Sequence, residues 1–199
     1  TICHYIAGKH GPFGYVDSAN FLSNFSHSEW FAKIKEEQAR SKETFIKHYK
    51  EKYPGSPDLP IWMAAEIMSF GAISNLFHGL KYSDQKNISR MYDLPAPVFA
   101  SWMHFLTYIR NLCAHHSRIW NRELAIRPKY PDKISFWKEV KNDRIISFFI
   151  ISQYIFNKMH LKKNIIGSLK ELIREYPQIS LKPMGFNANW IEKDIWEVG

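Results

Sequence analysis

Arginine, asparagine and histidine occur close together at Arg110, Asn111 and His115, within the stretch RNLCAHHSRIWNR that covers residues 110–122. The guanidinium group of arginine matches the geometry of phosphate oxygens, and imidazole is the side chain that exchanges a proton near neutral pH. Cleavage of RNA by its own 2′-hydroxyl needs both functions, together with charge stabilisation on the phosphate. Asn111 can orient the histidine or donate to the phosphate. These residue types supply the minimum set of groups for phosphodiester chemistry on RNA, with Arg110, Asn111 and His115 as the catalytic candidates.

The same stretch has two different sides when it is placed on an α-helix. At roughly 100° per residue, the polar side chains share an arc of about 140°, and the apolar side chains lie on the other side. The polar arc holds Arg110, Asn111, His115, Arg118, Asn121 and Arg122, with no acidic residue between Arg110 and Arg122. These arginines lack the i, i+4 partners of an ordinary solvated helix. We interpret the arc as a surface for an anion in preference to a solvated charged face, with Arg118, Asn121 and Arg122 contacting the RNA strand.

We expect one helix, roughly Val98 to Arg122, to carry this pattern, because prolines both precede and follow it. Cys113 falls on the apolar side, which predicts a buried free thiol. A metal site formed by Cys113, His115 and His116 is the weaker interpretation, because adjacent residues on a helix point in different directions. We expect neither a metal nor another cofactor.

Composition limits the remaining possibilities. The 199 residues suit a single domain, 1–199, and the net charge of +8 favours a polyanionic partner, although it is also compatible with solubility alone. Two cysteines, Cys3 and Cys113, favour a reducing cytoplasm. The longest apolar run, residues 145–156, is too short to cross a bilayer, so we expect a buried helix or an oligomer interface and no membrane association.

Apolar spacing and turn signals predict an all-α bundle. The expected helices begin after Ser26, with a break near Ser41, and after Asp58; the others start near Asp84, Val98, Ile134 and Lys162. The helix from Ile61 to about Leu80 is expected to be central, with Glu66 buried inside it. The first residues, TICHYIAG, read as the end of a helix stopped by Gly8, Gly11 and Pro12, so we expect further helices to precede Thr1. The tail is expected to be amphipathic, with Trp190, Ile195 and Trp196.

Several blocks of the sequence resemble the Abi-like (abortive infection, AbiD/AbiF type) proteins of the HEPN superfamily. The blocks are HGPFGYVDSANF (10–21), FIKHYKEKY (45–53), PIWMAAEIMSFGAISNLF (60–77) and SWMHFLTYIRNLCAHHSRIWNREL (101–124). The resemblance implies a HEPN-like helical bundle that acts on or binds RNA in phage defence or a toxin-type response. It assigns the functional roles to Arg110, Asn111 and His115, and it also covers His116, Arg118 and Asn121, which we take as RNA-binding candidates together with Arg122.

Two hypotheses follow from this resemblance. In the first, the protein is an endoribonuclease that needs no metal, leaves 2′,3′-cyclic phosphate ends, and works as a homodimer in which two copies of the motif helix meet. In the second, it holds a structured or antitoxin RNA without cutting it. Replacing His115 by alanine separates them, because only the first hypothesis requires that side chain for activity.

Overall fold

The computed structural model describes residues 1–132, 137, 140–162 and 164–186, and these residues form an all-α protein, as predicted. The described α-helices are α1 (Ile2–His10), α2 (His27–Arg40), α3 (Thr44–Lys52), α4 (Ile61–Ile67), α5 (Phe70–Gly79), α6 (Tyr82–Arg90), α7 (Ala96–Ala114), α8 (Ile146–Lys158) and α9 (Ile165–Glu175). Within the described residues, the extended pairing is limited to an isolated antiparallel bridge between Phe21 and Leu80. No described helix has both the length and the apolar character that crossing a membrane requires.

The chain divides into two compact units, the first comprising Thr1–Ile88 and the second beginning at Ser89. In the first unit α4 packs on α1 and α2, and α2 also packs on α5. Its core contains Leu59, Ile61, Leu76, Phe77 and Leu80, each of which is completely shielded from solvent. α1 ends at His10 before the predicted stop signal Gly11, and the next helical turn is a short 3₁₀ segment, Ser18–Asn20.

A buried carboxylate joins α1 to α6 in the first unit. Asp84 is 1% exposed; its Oδ1 accepts a hydrogen bond of 2.9 Å from the Tyr5 hydroxyl, and its Oδ2 lies 2.8 Å from His10 Nε2. Lys9 forms an ion pair with the same group. Burial alone would raise the pKa of Asp84, but the hydrogen bonds from Lys9, His10 and Tyr5 outweigh it and lower the pKa below its ordinary value. The carboxylate is therefore charged at neutral pH and fully partnered.

The prediction of one helix from Ile61 to Leu80 is wrong. Met68 has extended backbone and ends α4, and the Ser69 side chain accepts a hydrogen bond of 3.1 Å from the amide of Ala72 to cap α5. A serine in this position competes for the backbone and starts a new helix. Glu66 is exposed on α4, so its expected burial is also wrong.

Other helix boundaries in the first unit agree with the sequence more closely. α2 begins after Ser26 and is followed by a break at Ser41, as predicted, although the Ser26 side chain makes no capping hydrogen bond. Pro60, not Asp58, immediately precedes α4. The Asp58 carboxylate pairs instead with Lys35 Nζ at 2.9 Å. α6 begins two residues before the predicted Asp84.

The second unit is organised around α7 and α8, which pack on each other, while α9 packs on α8. The apolar run at residues 145–156 is confirmed as a buried helix, with Ile150 and Ile151 almost fully shielded. The Tyr154 hydroxyl donates a 2.9 Å hydrogen bond to the carbonyl of Tyr92. α8 begins at Ile146. The predicted helix start at Ile134 lies outside the described residues, as do residues 133–136, 138–139, 163 and the tail with Trp190, Ile195 and Trp196. α9 begins at Ile165, capped by the Asn164 side chain.

Candidate functional site

Helix α7 carries the first two candidate residues and is anchored by one apolar face. Pro95 precedes it and Pro97 lies in its first turn, where the missing amide hydrogen has no consequence. Trp102, Phe105, Ile109 and Leu112 form the buried stripe of this helix, at the spacing of one helical face. The Trp102 indole donates a 2.7 Å hydrogen bond to the carbonyl of Lys129. These contacts of the buried stripe fix the direction in which the opposite, exposed face of α7 points.

Arg110 and Asn111 lie near the carboxyl end of α7, and both are exposed. Arg110 Nη1 donates a hydrogen bond of 3.2 Å to the side-chain oxygen of Asn111. This contact orders the guanidinium group and leaves most of its donors available, since a guanidinium carries five N–H groups.

His115 directly follows the last helical residue, Ala114, and is exposed. Its amide still bonds to the carbonyl of Asn111 at 3.0 Å, so its backbone nitrogen remains on the helix. Five helical steps from Arg110 correspond to about 140° around the axis and roughly 7.5 Å along it. Arg110 and His115 therefore border one surface without stacking on each other, as the sequence predicts.

The prediction that α7 continues to Arg122 is wrong, because the helix ends at Ala114. His116 adopts left-handed backbone with φ of 51°, and its amide bonds to the carbonyl of Cys113 at 3.0 Å. The amide of Ser117 bonds to the carbonyl of Leu112 at 2.9 Å. These two reversed hydrogen bonds form a Schellman motif, which ends a helix and usually has glycine where His116 stands.

Arg118, Asn121 and Arg122 consequently lie on a loop and not in a helical row with Arg110. The amide of Arg122 bonds to the carbonyl of Ile119 at 3.2 Å, which closes a turn with Asn121 at φ 48°. Arg122 is half-buried and donates through Nη1 to the carbonyl of Arg118 at 3.3 Å. We call residues 116–123 the arginine loop; Arg118, Asn121 and His116 are exposed on it.

The chain after the arginine loop returns along α7 and holds the loop in place. The buried residue Leu124 donates its amide to the carbonyl of Asp143 at 2.9 Å. Farther along, the amide of Lys129 donates to the Ser101 hydroxyl at 2.7 Å. The loop is thus fixed at both ends, by the Schellman motif and by Leu124.

Charge is unbalanced across this region, which favours an anionic ligand. Glu123 is the first acidic residue after Arg110, and its carboxylate pairs with Arg127 at 2.7 Å. Among the residues that the structure describes, no carboxylate forms an ion pair with Arg110, Arg118 or Arg122. An arginine without a carboxylate partner keeps its donors available for phosphate.

Cys113 is exposed, so its predicted burial is wrong, although the thiol is free as expected. It lies one residue before the end of α7. In the described part of the chain, no three His, Cys, Asp or Glu side chains are grouped as metal ligands. The arginine loop is the feature that sequence reasoning missed, since a histidine at the left-handed position gives no helix-stop signal.

Comparison with known proteins adds one finding. No curated protein and no solved structure matches the chain. The profile of the Abi-like protein family matches residues 1–121, which include every candidate site residue except Arg122. That match extends from the first residue through α7 and most of the arginine loop, and so covers more than half of the sequence. The chain therefore belongs to the Abi-like protein family.

Proposed function

We propose that this protein is an endoribonuclease of the HEPN superfamily, AbiD/AbiF type, which cleaves RNA without a metal ion. Membership of the Abi-like family suggests a role in abortive infection, the bacterial response to phage. Cleavage of RNA is a direct way to halt growth in such a response. The proposal assigns proton transfer to His115, phosphate binding to Arg110, and orientation of the arginine to Asn111.

The observation that carries the proposal is the exposure of Arg110 and His115 at the end of one helix without a carboxylate partner. Within the described residues, no hydrogen bond or ion pair occupies the His115 ring. A histidine that served packing would be buried, and a structural arginine would pair with an acid. Both side chains are instead available to a phosphodiester.

The proposed reaction is an internal transfer at phosphorus. The 2′-oxygen forms a bond to phosphorus and loses its proton to a base, while the bond from phosphorus to the 5′-oxygen breaks and that oxygen takes up a proton. The products are a 2′,3′-cyclic phosphate and a 5′-hydroxyl. Arg110 stabilises the additional negative charge on the non-bridging oxygens, and His115 supplies one of the two proton transfers.

We propose that the active form is a homodimer in which the α7 helices of two copies border each site. The angular offset between Arg110 and His115 suits a site bordered by two helices better than a site on one helix. Mixing two inactive variants, Arg110→Ala and His115→Ala, tests this arrangement. If each site combines Arg110 of one copy with His115 of the other, the mixture regains about a quarter of wild-type activity. If each site uses one chain alone, the mixture stays inactive.

The decisive experiment measures cleavage of a labelled RNA in EDTA by the wild-type protein and by His115→Ala. We expect the wild type to produce 2′,3′-cyclic phosphate ends and the variant to lose activity by about 100-fold or more, as expected for general acid–base catalysis. His104→Ala is the matched control, because His104 is an exposed histidine on the same helix, and it should remain active. Equal activity of His115→Ala and wild type would disprove the catalytic role.

A second function, RNA binding without cleavage, is favoured by the arginine loop. Arg118 and Arg122 are held apart from α7, so they can contact a strand independently of Arg110 and His115. In this alternative the ligand is a structured or antitoxin RNA. The wild-type protein would then bind RNA and leave it intact, His115→Ala would bind equally well, and Arg118→Ala would bind more weakly.

A further inference from the structure

Trp120 lies on the arginine loop and differs from the buried tryptophans of the chain. Trp30 and Trp102 are buried, and the indole of each donates a hydrogen bond to a backbone carbonyl. Trp120 is 47% exposed, and within the described residues its indole has neither a hydrogen-bond partner nor an aromatic ring against it. Packing therefore does not account for this large apolar side chain, and a ligand that covered the indole would gain the free energy of its burial.

A tight turn presents Trp120 beside the cations of the arginine loop. The hydrogen bond from the amide of Arg122 to the carbonyl of Ile119 closes this turn, which places Trp120 and Asn121 at its two central positions. Arg118 lies two residues before Trp120, is exposed, and has no carboxylate partner among the described residues. Proteins bind single-stranded nucleic acid with this combination, in which cations hold the phosphates and aromatic rings stack on the bases.

Trp120 also lines an apolar cavity of about 300 Å³ in the second unit. Tyr176, which directly follows α9, lines the same cavity and is 41% exposed, and the lining includes Leu169 and Leu172 of α9. The lining offers almost no polar surface. A nucleobase stacks through its faces while its polar edges can stay in contact with water, so the cavity offers a base two aromatic rings without requiring new hydrogen bonds.

We propose that Trp120 stacks on an unpaired base of an RNA strand whose phosphates contact Arg118, and that this base lies in the cavity. The inference rests on the proposed RNA ligand, and it holds for cleavage and for binding without cleavage. Both faces of an internal base in a duplex are already stacked on its neighbours, so the site selects single-stranded RNA. Since the described lining offers almost no polar surface, the cavity should discriminate little among the four bases.

Binding of an RNA that cannot be cleaved tests this inference separately from catalysis. The probe is a short labelled 2′-O-methyl strand of mixed sequence, which lacks the attacking hydroxyl, either alone or annealed to its complement. Trp120→Ala should weaken binding of the single strand by about 5- to 150-fold, the usual contribution of one stacked base, and change duplex binding by less than about 2-fold. Trp120→Phe keeps a ring and should retain most of the affinity. The matched control is Trp62→Ala, because Trp62 is an exposed tryptophan on α4 in the first unit, and it should bind both RNAs like the wild type.

A strand of the same length with abasic riboses in place of all nucleotides shows whether the indole contacts a base. Wild type and Trp120→Ala should bind this abasic strand equally, because removal of the bases and removal of the ring abolish the same contact. If Trp120→Ala weakens binding of the abasic strand as much as binding of the intact one, Trp120 only supports the loop and the inference is wrong.

The remaining outcomes separate this inference from the proposed function. Equal affinity of Trp120→Ala and wild type for the single strand would overturn the inference alone. If the same variant also changed the oligomeric state, the cavity would belong to an interface between copies. A wild-type protein that bound these strands but cut no RNA would contradict only the cleavage proposal. A wild-type protein that bound no RNA would overturn the proposed function and the inference together.

Discussion

Helix α7 and the arginine loop present cations in different ways, although their residues are neighbours in the sequence. On α7 the direction of Arg110 is set by a buried stripe on the other side of the helix. In the loop, Arg118 and Arg122 are positioned by a turn and by a contact to a backbone carbonyl. Under the proposed function, α7 fixes side chains at the reaction centre and the arginine loop supplies cations for binding of the RNA strand. We expect substitutions on α7 to affect the rate of cleavage and substitutions in the loop to affect binding.

The largest contrast should come from Arg110→Ala and Arg118→Ala. Removing Arg110 takes away a donor to the transition state, for which a loss of about 100- to 1,000-fold in kcat is typical. Removing Arg118 should leave kcat within a few-fold of wild type and weaken RNA binding. Single-turnover cleavage at saturating protein measures the first effect, and a binding titration measures the second. Similar losses of kcat in both variants would show that helix and loop act as one site.

The next largest effect, on stability, should come from Leu124, which holds the end of the arginine loop. Leu124 is buried, so Leu124→Ala should reduce the free energy of unfolding by about 2 to 5 kcal/mol. The exposed Leu172 provides the matched control, since Leu172→Ala should change the stability by less than about 0.5 kcal/mol. Urea unfolding followed by circular dichroism gives both values. Equal stability of the two variants would mean that Leu124 does not hold the loop.

Salt dependence distinguishes Arg118 of the arginine loop from Arg127, which follows the loop. If Arg118 contacts a phosphate of single-stranded RNA, Arg118→Ala should lower the slope of log K against log salt by about 0.7. Arg127 already pairs with Glu123, so Arg127→Ala should change the slope much less. RNA binding measured at several salt concentrations gives the slope for each variant. An unchanged slope for Arg118→Ala would remove this residue from the RNA surface.

The smallest effect concerns the boundary between helix and loop. Replacing His116 by glycine should stabilise the protein by about 0.5 kcal/mol. Glycine adopts the left-handed backbone without strain, and this gain exceeds the additional backbone entropy that glycine loses on folding. The same substitution at His104, inside α7, should destabilise the protein by about 0.3 to 0.5 kcal/mol, the difference in helix propensity between histidine and glycine. Thermal unfolding of both variants measures the difference. If both glycines destabilise equally, the left-handed position of His116 is not a source of strain.

Sequence predicted the fold class and the helix that carries Arg110 and Asn111 because apolar spacing and prolines are strong signals. The start of α7 after Pro95 and the buried helix within residues 145–156 both follow from such signals. The end of α7 could not be predicted, because His116 adopts a conformation that sequences usually mark with glycine. The helix that was expected from Ile61 to Leu80 failed for a related reason. Ser69 is one polar residue in an apolar run, and only the structure shows that it caps a new helix.

The exposed Cys113 shows a further limit of helical periodicity. Its angular position is close to that of the buried residues Trp102 and Ile109, but it lies in the last turn of α7. A helical wheel gives the angle of each side chain around the helix axis but not its position along that axis. It therefore cannot show which end of an apolar face is buried. The prediction of Arg118 and Arg122 on one continuous polar surface with Arg110 failed for a different reason, because α7 ends at Ala114.

The enclosed carboxylate of Asp84 makes the attachment of the N-terminal helix sensitive to acid. Because the pKa of Asp84 is lower in the folded protein than in the unfolded chain, its contribution to stability is complete at neutral pH and is lost as the pH falls through that lowered pKa. Protonation of Asp84 would remove the negative charge that both Lys9 and His10 contact. Strong acid should thus weaken the contact between α1 and α6. Faster hydrogen exchange at the amides of Ile2–His10 would reveal this change.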